Sequence, residues 1–408
     1  MSYLFNNLDN ILSGYFTKKE LAEYKKMIFD KEIVEEQYSP NAVKPKSQSN
    51  YRNSYLVKID LLTTFAKSRL LDQRDKFLDM LFNLGNTAIA HGDYDEAEKL
   101  FLSIITEVRS DPPVQELEAW ACLALSDIYS KYANWGKSIN YIKSARKIFT
   151  REKNIKGINR CDNFLGLIAG EKGNLRRAKK IFSVNTFDTN PEQDESLKGV
   201  AAINKGIINT IQCNFDTALT FYNQALEIFE KNADLSRLAE VRHNLGMLYT
   251  QKDENDKALE EFDKSISLSL KSGNIFNLGL SYLQTAYLYT RFNNFLRAEE
   301  FTGKAMEICT KLNDQLSIAD IYKIKGIIAR EMKDYPAAEN YLLTSLRRNR
   351  ELENELNEAE SNYELGILYN RIGKAAEAKK ALLSAYNYFK KISSSNMVLK
   401  IESLLDLN

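Results

Sequence analysis

The sequence predicts an all-α fold, a right-handed α-solenoid of about eight helix–turn–helix repeats with terminal capping helices. Three observations predict it. Only six prolines occur in 408 residues, amid many Leu, Ala, Lys and Glu, so helix is permitted nearly throughout. A small residue returns at Gly85, Ser126, Gly166, Gly206, Gly246, Ala286, Gly326 and Gly366, with spacings of 41 once and 40 six times. A chain this long also exceeds one ordinary core, and stacked units escape that limit because each packs only on its neighbours.

Within each unit the register continues. Twelve residues after the small residue stand Ala97, Ser138, Ala178, Ala218, Ala258, Ala298, Ala338 and Ala378. Sixteen after it stand Phe101, Ile142, Phe182, Tyr222, Phe262, Thr302, Leu342 and Leu382. Glycine in mid-helix costs about 1 kcal/mol relative to alanine, so its recurrence implies a second helix in close approach. The alanine marks that helix, and the larger residue is expected to fill the space one turn further on. Eight residues after the small one, Asp93, Asn134, Asn174, Asn214, Asn294 and Asp334 are preferred N-caps for the second helix. Pro336 sits just inside a helix start, where its missing N–H is harmless.

With Tyr129, Tyr249, Tyr289 and Tyr369 after the small residue, and Ala145, Ala225, Ala305 and Ala385 in the second helix, the pattern resembles the tetratricopeptide repeat. The resemblance covers roughly residues 78–392, and its 40-residue unit exceeds the usual length of about 34. It is similar in this to the LGN/Pins adaptors, kinesin light chains and Rap-type regulators. HEAT and armadillo units have similar length but lack this glycine–alanine register.

The expected organisation follows. Residues 1–38 form an N-terminal helical segment, in which Thr17-Lys18-Lys19-Glu20 is a capping box ahead of Leu21, Tyr24, Ile28 and Ile33. Residues 39–50 read as a polar linker, which predicts that the first 50 are dispensable for folding of the repeats. Residues 51–77 form an N-terminal capping helix, 78–392 the eight repeats and 393–408 a C-terminal capping helix. Around Asn190-Pro191 the second helix of the third unit must stop early, so 184–195 is a longer loop or a hinge.

Catalytic chemistry finds no foothold. Lys+Arg 56 against Asp+Glu 55 gives no overall positive field for nucleic acid. The two histidines and four cysteines are scattered, so neither a zinc site nor a disulfide framework is expected. No phosphate-loop, dinucleotide or nucleophile-elbow motif occurs. The first 15 residues lack the features of a signal peptide and no stretch is apolar enough to span a bilayer, so no membrane insertion and a cytoplasmic setting are expected. No cofactor or metal is expected, and the oligomeric state is open.

What remains is a surface. The resemblance implies that the first helix of each unit lines a concave groove. Positions two and three before the small residue, one after it and four or five after it should share the exposed face. They supply the candidate peptide-binding residues Asn83, Asn86, Asn163, Asn204, Ile207, His243, Asn244, Met247, Gln284, Tyr287 and Arg291. An amide side chain both donates and accepts, so amides one repeat apart could hold an extended peptide backbone. The resemblance to LGN-type adaptors, which place asparagine beside Leu-Gly, implies the same for Asn83 and Asn244. The expected function is a non-catalytic scaffold or adaptor binding a protein or peptide partner in the groove. The alternative is a Rap-like sensor, whose repeats bind a signalling peptide and whose N-terminal helices act on a target. End-to-end stacking of repeats is disfavoured by the caps.

Overall fold

The computed structural model of the protein describes residues 8–38, 48–70, 72–110, 115–184 and 195–405. Among these are twenty helices and no strand. Three come first: α1 (Leu8–Leu12), α2 (Lys18–Tyr38) and α3 (Gln48–Arg69). Eight pairs follow, beginning with α4 (Arg74–Ala90) and α5 (Tyr94–Ser110), α6 (Gln115–Lys131) and α7 (Trp135–Arg151), then α8 (Ile155–Glu171) and α9 (Leu175–Val184). Next come α10 (Glu195–Ile211) and α11 (Phe215–Lys231), then α12 (Leu235–Gln251) and α13 (Asn255–Ser272). The last pairs are α14 (Ile275–Arg291) and α15 (Phe295–Lys311), α16 (Gln315–Glu331) and α17 (Tyr335–Glu351), and α18 (Glu355–Arg371) and α19 (Ala375–Lys391). Helix α20 (Ser395–Leu404) ends the series. Every small residue of the 40-residue register lies in the first helix of a pair. Helix α3 starts inside the segment expected as linker, whose residues 39–47 lie outside the described ones. Residues 185–194, where a loop or hinge was expected, also lie outside them.

The chain divides into two compact units, Met1–Ile128 with Lys143–Glu152, and Tyr129–Ile142 with Lys153–Asn408. In the first, the capping box forms. The Thr17 N–H donates to Glu20 Oε2 at 2.8 Å, and the Glu20 N–H donates to Thr17 Oγ1 at 3.3 Å. Leu12, Phe16 and Tyr24 are buried together with Ile59, Leu62 and Phe65 of α3. Phe16 meets the Phe65 ring edge-on at 5.5 Å, and the Tyr24 hydroxyl donates to the Lys58 carbonyl at 3.1 Å. The N-terminal helices therefore share a core with α3, which argues against the expectation that the first 50 residues are dispensable for folding of the repeats. Deleting residues 1–38 should uncover Ile59, Leu62 and Phe65. Each large side chain returned to water costs about 1.5–3 kcal/mol. The truncated chain is expected to melt earlier and to bind a hydrophobic dye; unchanged melting would refute the shared core.

In the second unit the glycines show what they are for. A Cβ on Gly206 or Gly246 would collide with the ring of Tyr222 or Phe262, and one on Gly326 or Gly366 with Leu342 or Leu382. The residue sixteen positions on thus lies over the glycine itself, not one turn beyond it as expected. Where the small residue is Ala286, the matching position holds the small Thr302.

Side chains of Asn134, Asn174, Asn294 and Asp334 cap second helices, each accepting an N–H three residues on at 3.2 Å, whereas Asn214 makes no such bond. A second series, Asn154, Asp234, Asn274, Asp314 and Asn354, caps first helices at 2.8–3.1 Å. The repeats of this unit also return upon themselves. Trp135 Nε1 donates to the Leu352 carbonyl at 2.7 Å, Lys172 ion-pairs with Glu353, and the Tyr388 hydroxyl donates to the Gly173 carbonyl at 3.2 Å. At Gly173, φ is +76° and an added Cβ would stand 2.6 Å from Tyr388 Oη, so only glycine fits that seam.

Candidate functional site

The second unit holds a partly open cavity of about 460 Å³. Its main wall is built by the residue just after each small one: Ile207, Met247, Tyr287, Ile327 and Ile367. These side chains recur because the glycine or alanine faces its own second helix, leaving its successor on the inner side of the first helix. Asn244, Gln284, Ile324 and Glu364, two positions before the small residue, line the same cavity. The far side is supplied by the C-terminal end, through Phe389, Ile392, Ser394, Met397 and Lys400. Stripes of aliphatic and aromatic surface interrupted by a few polar groups suit the burial of a ligand with apolar side chains and a hydrogen-bonding backbone.

The charged groups in this wall are engaged with one another. Lys323 pairs with Asp320 at 3.0 Å and with Glu360, and Asn357 Nδ2 donates to both Asp320 oxygens at 3.0 Å. Burial works against the Lys323 ammonium, but Asp320 and Glu360 outweigh it and hold its pKa above the ordinary value. Arg330 bonds to Glu364 at 2.6 Å, and Arg291 reaches back to the Thr250 carbonyl at 3.0 Å and to Asp253. These contacts brace consecutive first helices. Burial, and then the neighbouring Glu364, push the Tyr287 phenol up to about 12, so it stays neutral and can donate a hydrogen bond.

Of the residues singled out in the sequence, Ile207, Asn244, Met247, Gln284, Tyr287 and Arg291 are brought together in this cavity. Asn83 and Asn86 belong to the first unit; both are exposed, and Asn83 Nδ2 donates to the Tyr15 hydroxyl at 2.6 Å and to Asp79. Asn163, Asn204 and His243 are buried and do not face the groove. Asn163 and His243, three before the small residue, point instead at the next first helix, and Asn204, two before its own, points back at the preceding one. There Asn204 Nδ2 donates to Asn163 Oδ1 at 2.8 Å, and His243 Nδ1 lies 3.1 Å from Ser281 Oγ. Asn244 spends its amide N–H on the Glu240 carbonyl at 2.9 Å. The uniform amide ladder is thereby corrected. Asn204→Ala should cost about 1–3 kcal/mol by leaving the Asn163 oxygen buried and unpaired. Gln284→Ala, on the open wall, should stay within about 0.5 kcal/mol of wild type. Urea midpoints of the two variants check this; equal losses would contradict the placement.

The sequence reading did not find the contributions of Asp320, Asn357 and Glu360, which lie a turn or more before the small residue. It also missed Phe389 through Lys400, for which no local pattern signals a return to the groove. Among the described residues there is no cluster able to hold a metal ion, and no helix is long and apolar enough to cross a membrane.

Comparison with known proteins locates this architecture. Residues 197–271 and 317–391 match the tetratricopeptide repeat family model. No curated protein matches the chain in sequence. Among solved structures, a Rap protein complexed with Competence and Sporulation Factor shares 15% identity, with a TM-score of 0.55, over 81% of this chain and 98% of that one. NprR in complex with its cognate peptide NprX shares 15% identity at a TM-score of 0.51, covering 69% of this chain and 83% of its own. A monomeric mutant of IFIT1 with Gppp-AAAA shares 13% at 0.50, covering 95% and 88%. At these identities the likeness is one of fold, and the three carry different ligands on it. The chain carries tetratricopeptide repeats over residues 197–271 and 317–391, within an all-α solenoid similar in fold to the Rap-type ones.

Proposed function

We propose that the protein is a non-catalytic interaction module that captures a peptide segment of a partner in the cavity of its second unit. The observation that carries this reading is the unbroken series Ile207, Met247, Tyr287, Ile327 and Ile367, one residue per repeat along a single wall. An extended peptide advances about 3.3 Å per residue and packed helices lie about 8–10 Å apart, so a short extended segment can meet several successive members of such a series. Gln284, half-buried beside Tyr287, offers a donor and an acceptor to the peptide backbone. The buried polar groups nearby serve packing rather than chemistry, His243 being held against Ser281. Rap and NprR, each solved with its factor or peptide, support the choice of a peptide over other ligands.

The Rap-like alternative keeps this cavity as its input and assigns the output to the N-terminal helices. The packing of α1 and α2 on α3 favours their having a defined surface to present. Both readings belong to a cytoplasmic setting, in which the buried thiols of Cys122, Cys161 and Cys309 stay reduced. A display library of random peptides, selected on the full chain and re-tested on a Tyr287→Ala variant, tests the shared claim. Selected peptides should lose at least about tenfold in affinity on that variant, or about 1.4 kcal/mol. Peptides that bind both forms equally would move the site elsewhere.

A further inference from the structure

We infer that the turn after α19 and helix α20 form a movable cover over one side of the cavity, through which a ligand enters and which a bound ligand holds shut. This rests on the reading of the cavity as a ligand site and adds how access to it is controlled. The cover meets the α10–α11 turn across a seam. Ile211 packs on the apolar cluster of Phe389, Ile392 and Met397. Cys213, in that turn, and Ser394 and Asn396, on the cover, all stand at the cavity side of this seam. On the inner side of the seam, Cys213, Ser394, Met397 and Lys400 all line the cavity.

The cover is lightly anchored. Helix α20 has ten residues, and Ile401 is its one fully buried side chain, whereas Leu399 is 66% exposed. A helix so short is marginal without packing, and segments with few buried contacts open first. Ser394 occupies the N-cap position yet makes no side-chain cap bond. Side-chain bonds tie only its last turn to the repeats, Tyr386 Oη of α19 donating to Glu402 Oε1 at 3.1 Å and Asn370 Nδ2 of α18 to the Leu404 carbonyl at 3.5 Å. Opening the seam would expose Cys213 and one face of the cavity while leaving the repeats intact.

Cys213 is the half-buried cysteine of the four, the other three being buried, and it reports on this opening. Alkylation by iodoacetamide is followed on the folded full chain by peptide mass spectrometry, with Cys213→Ser as the blank. Cys213 in the wild type should react at least about tenfold more slowly than in the urea-unfolded chain, as closing competes with labelling. Met397→Ser, which weakens the apolar seam, and Tyr386→Phe, which removes one hydroxyl, should each speed labelling at least about threefold without shifting the main thermal transition. Tyr386→Phe serves alone if Met397→Ser does not fold. The inference is overturned if Cys213 reacts as fast in the folded as in the unfolded chain, or if neither variant changes its rate. No ligand enters this experiment, so its failure leaves the peptide reading standing, and failure of the peptide reading leaves its result unchanged.

Discussion

Replacing Gly246 with leucine is expected to destabilise the second unit by at least about 2 kcal/mol, near the upper part of the range for overpacked cores. A single added Cβ already falls 2.5 Å from Phe262 Cε1 and 2.7 Å from its Cδ1. Phe262 is fully buried, so its ring has nowhere to swing. Leaving glycine returns at most about 1 kcal/mol of helix propensity, which the clash outweighs. The chain itself points to the remedy, because Ala286 stands opposite Thr302 rather than a ring. The double variant Gly246→Ala with Phe262→Thr should therefore lose less to steric conflict than Gly246→Ala alone, though it forfeits the burial of the ring. Urea unfolding followed by circular dichroism gives both numbers. A loss below about half a kcal/mol for Gly246→Leu would mean that the ring yields and the contact is misassigned.

Acidification should unlock the same region through His243. Burial pushes its pKa down from 6.5 to about 4, with no carboxylate beside it and only the Ser281 hydroxyl on Nδ1. A depressed histidine pKa means that the unfolded chain binds the proton first, so stability falls as pH drops below about 6.5 and levels off near pH 4. Linkage gives a loss of about 2 kcal/mol between pH 7.5 and pH 5 from this one group. His243→Leu removes the titration, at the expense of leaving Ser281 one partner short, and should flatten the pH dependence of the urea midpoint over that interval. Parallel slopes for wild type and variant would contradict the assignment.

These two residues show how far the sequence could be read. Gly246 and its equivalents were legible because a glycine in mid-helix needs a reason, and its recurrence fixes which side of the helix faces the partner. Once that side is fixed, Met247 and Tyr287 follow as the inner wall. His243 was not legible in the same way. Position three before the glycine lies at the border between the groove and the next first helix, and a helical wheel does not say on which side of that border it falls. Contacts between repeats decide it, as in Asn204 with Asn163 and His243 with Ser281. The capping series Asn154, Asp234, Asn274, Asp314 and Asn354 did carry a 40-residue signal that a search of the first-helix starts would have found. The return of Ile392, Ser394 and Met397 to the α10–α11 turn had none. It is the sum of small rotations from unit to unit, and no single residue encodes it.

The most direct test of the central claim is the affinity of one library-selected peptide for three forms of the full chain, measured by isothermal titration. One form is wild type, one carries Gln284→Ala with Tyr287→Ala inside the cavity, and one carries Leu296→Ala with Leu343→Ala on exposed second-helix surfaces. A lost hydrogen bond contributes about 0.5–1.5 kcal/mol and a truncated aromatic anchor about 2 kcal/mol. The cavity variant should accordingly bind at least about thirtyfold more weakly, with an unchanged circular-dichroism spectrum, while the outer variant stays within about twofold of wild type. Undiminished binding by the cavity variant, with loss on the outer one, would contradict the account.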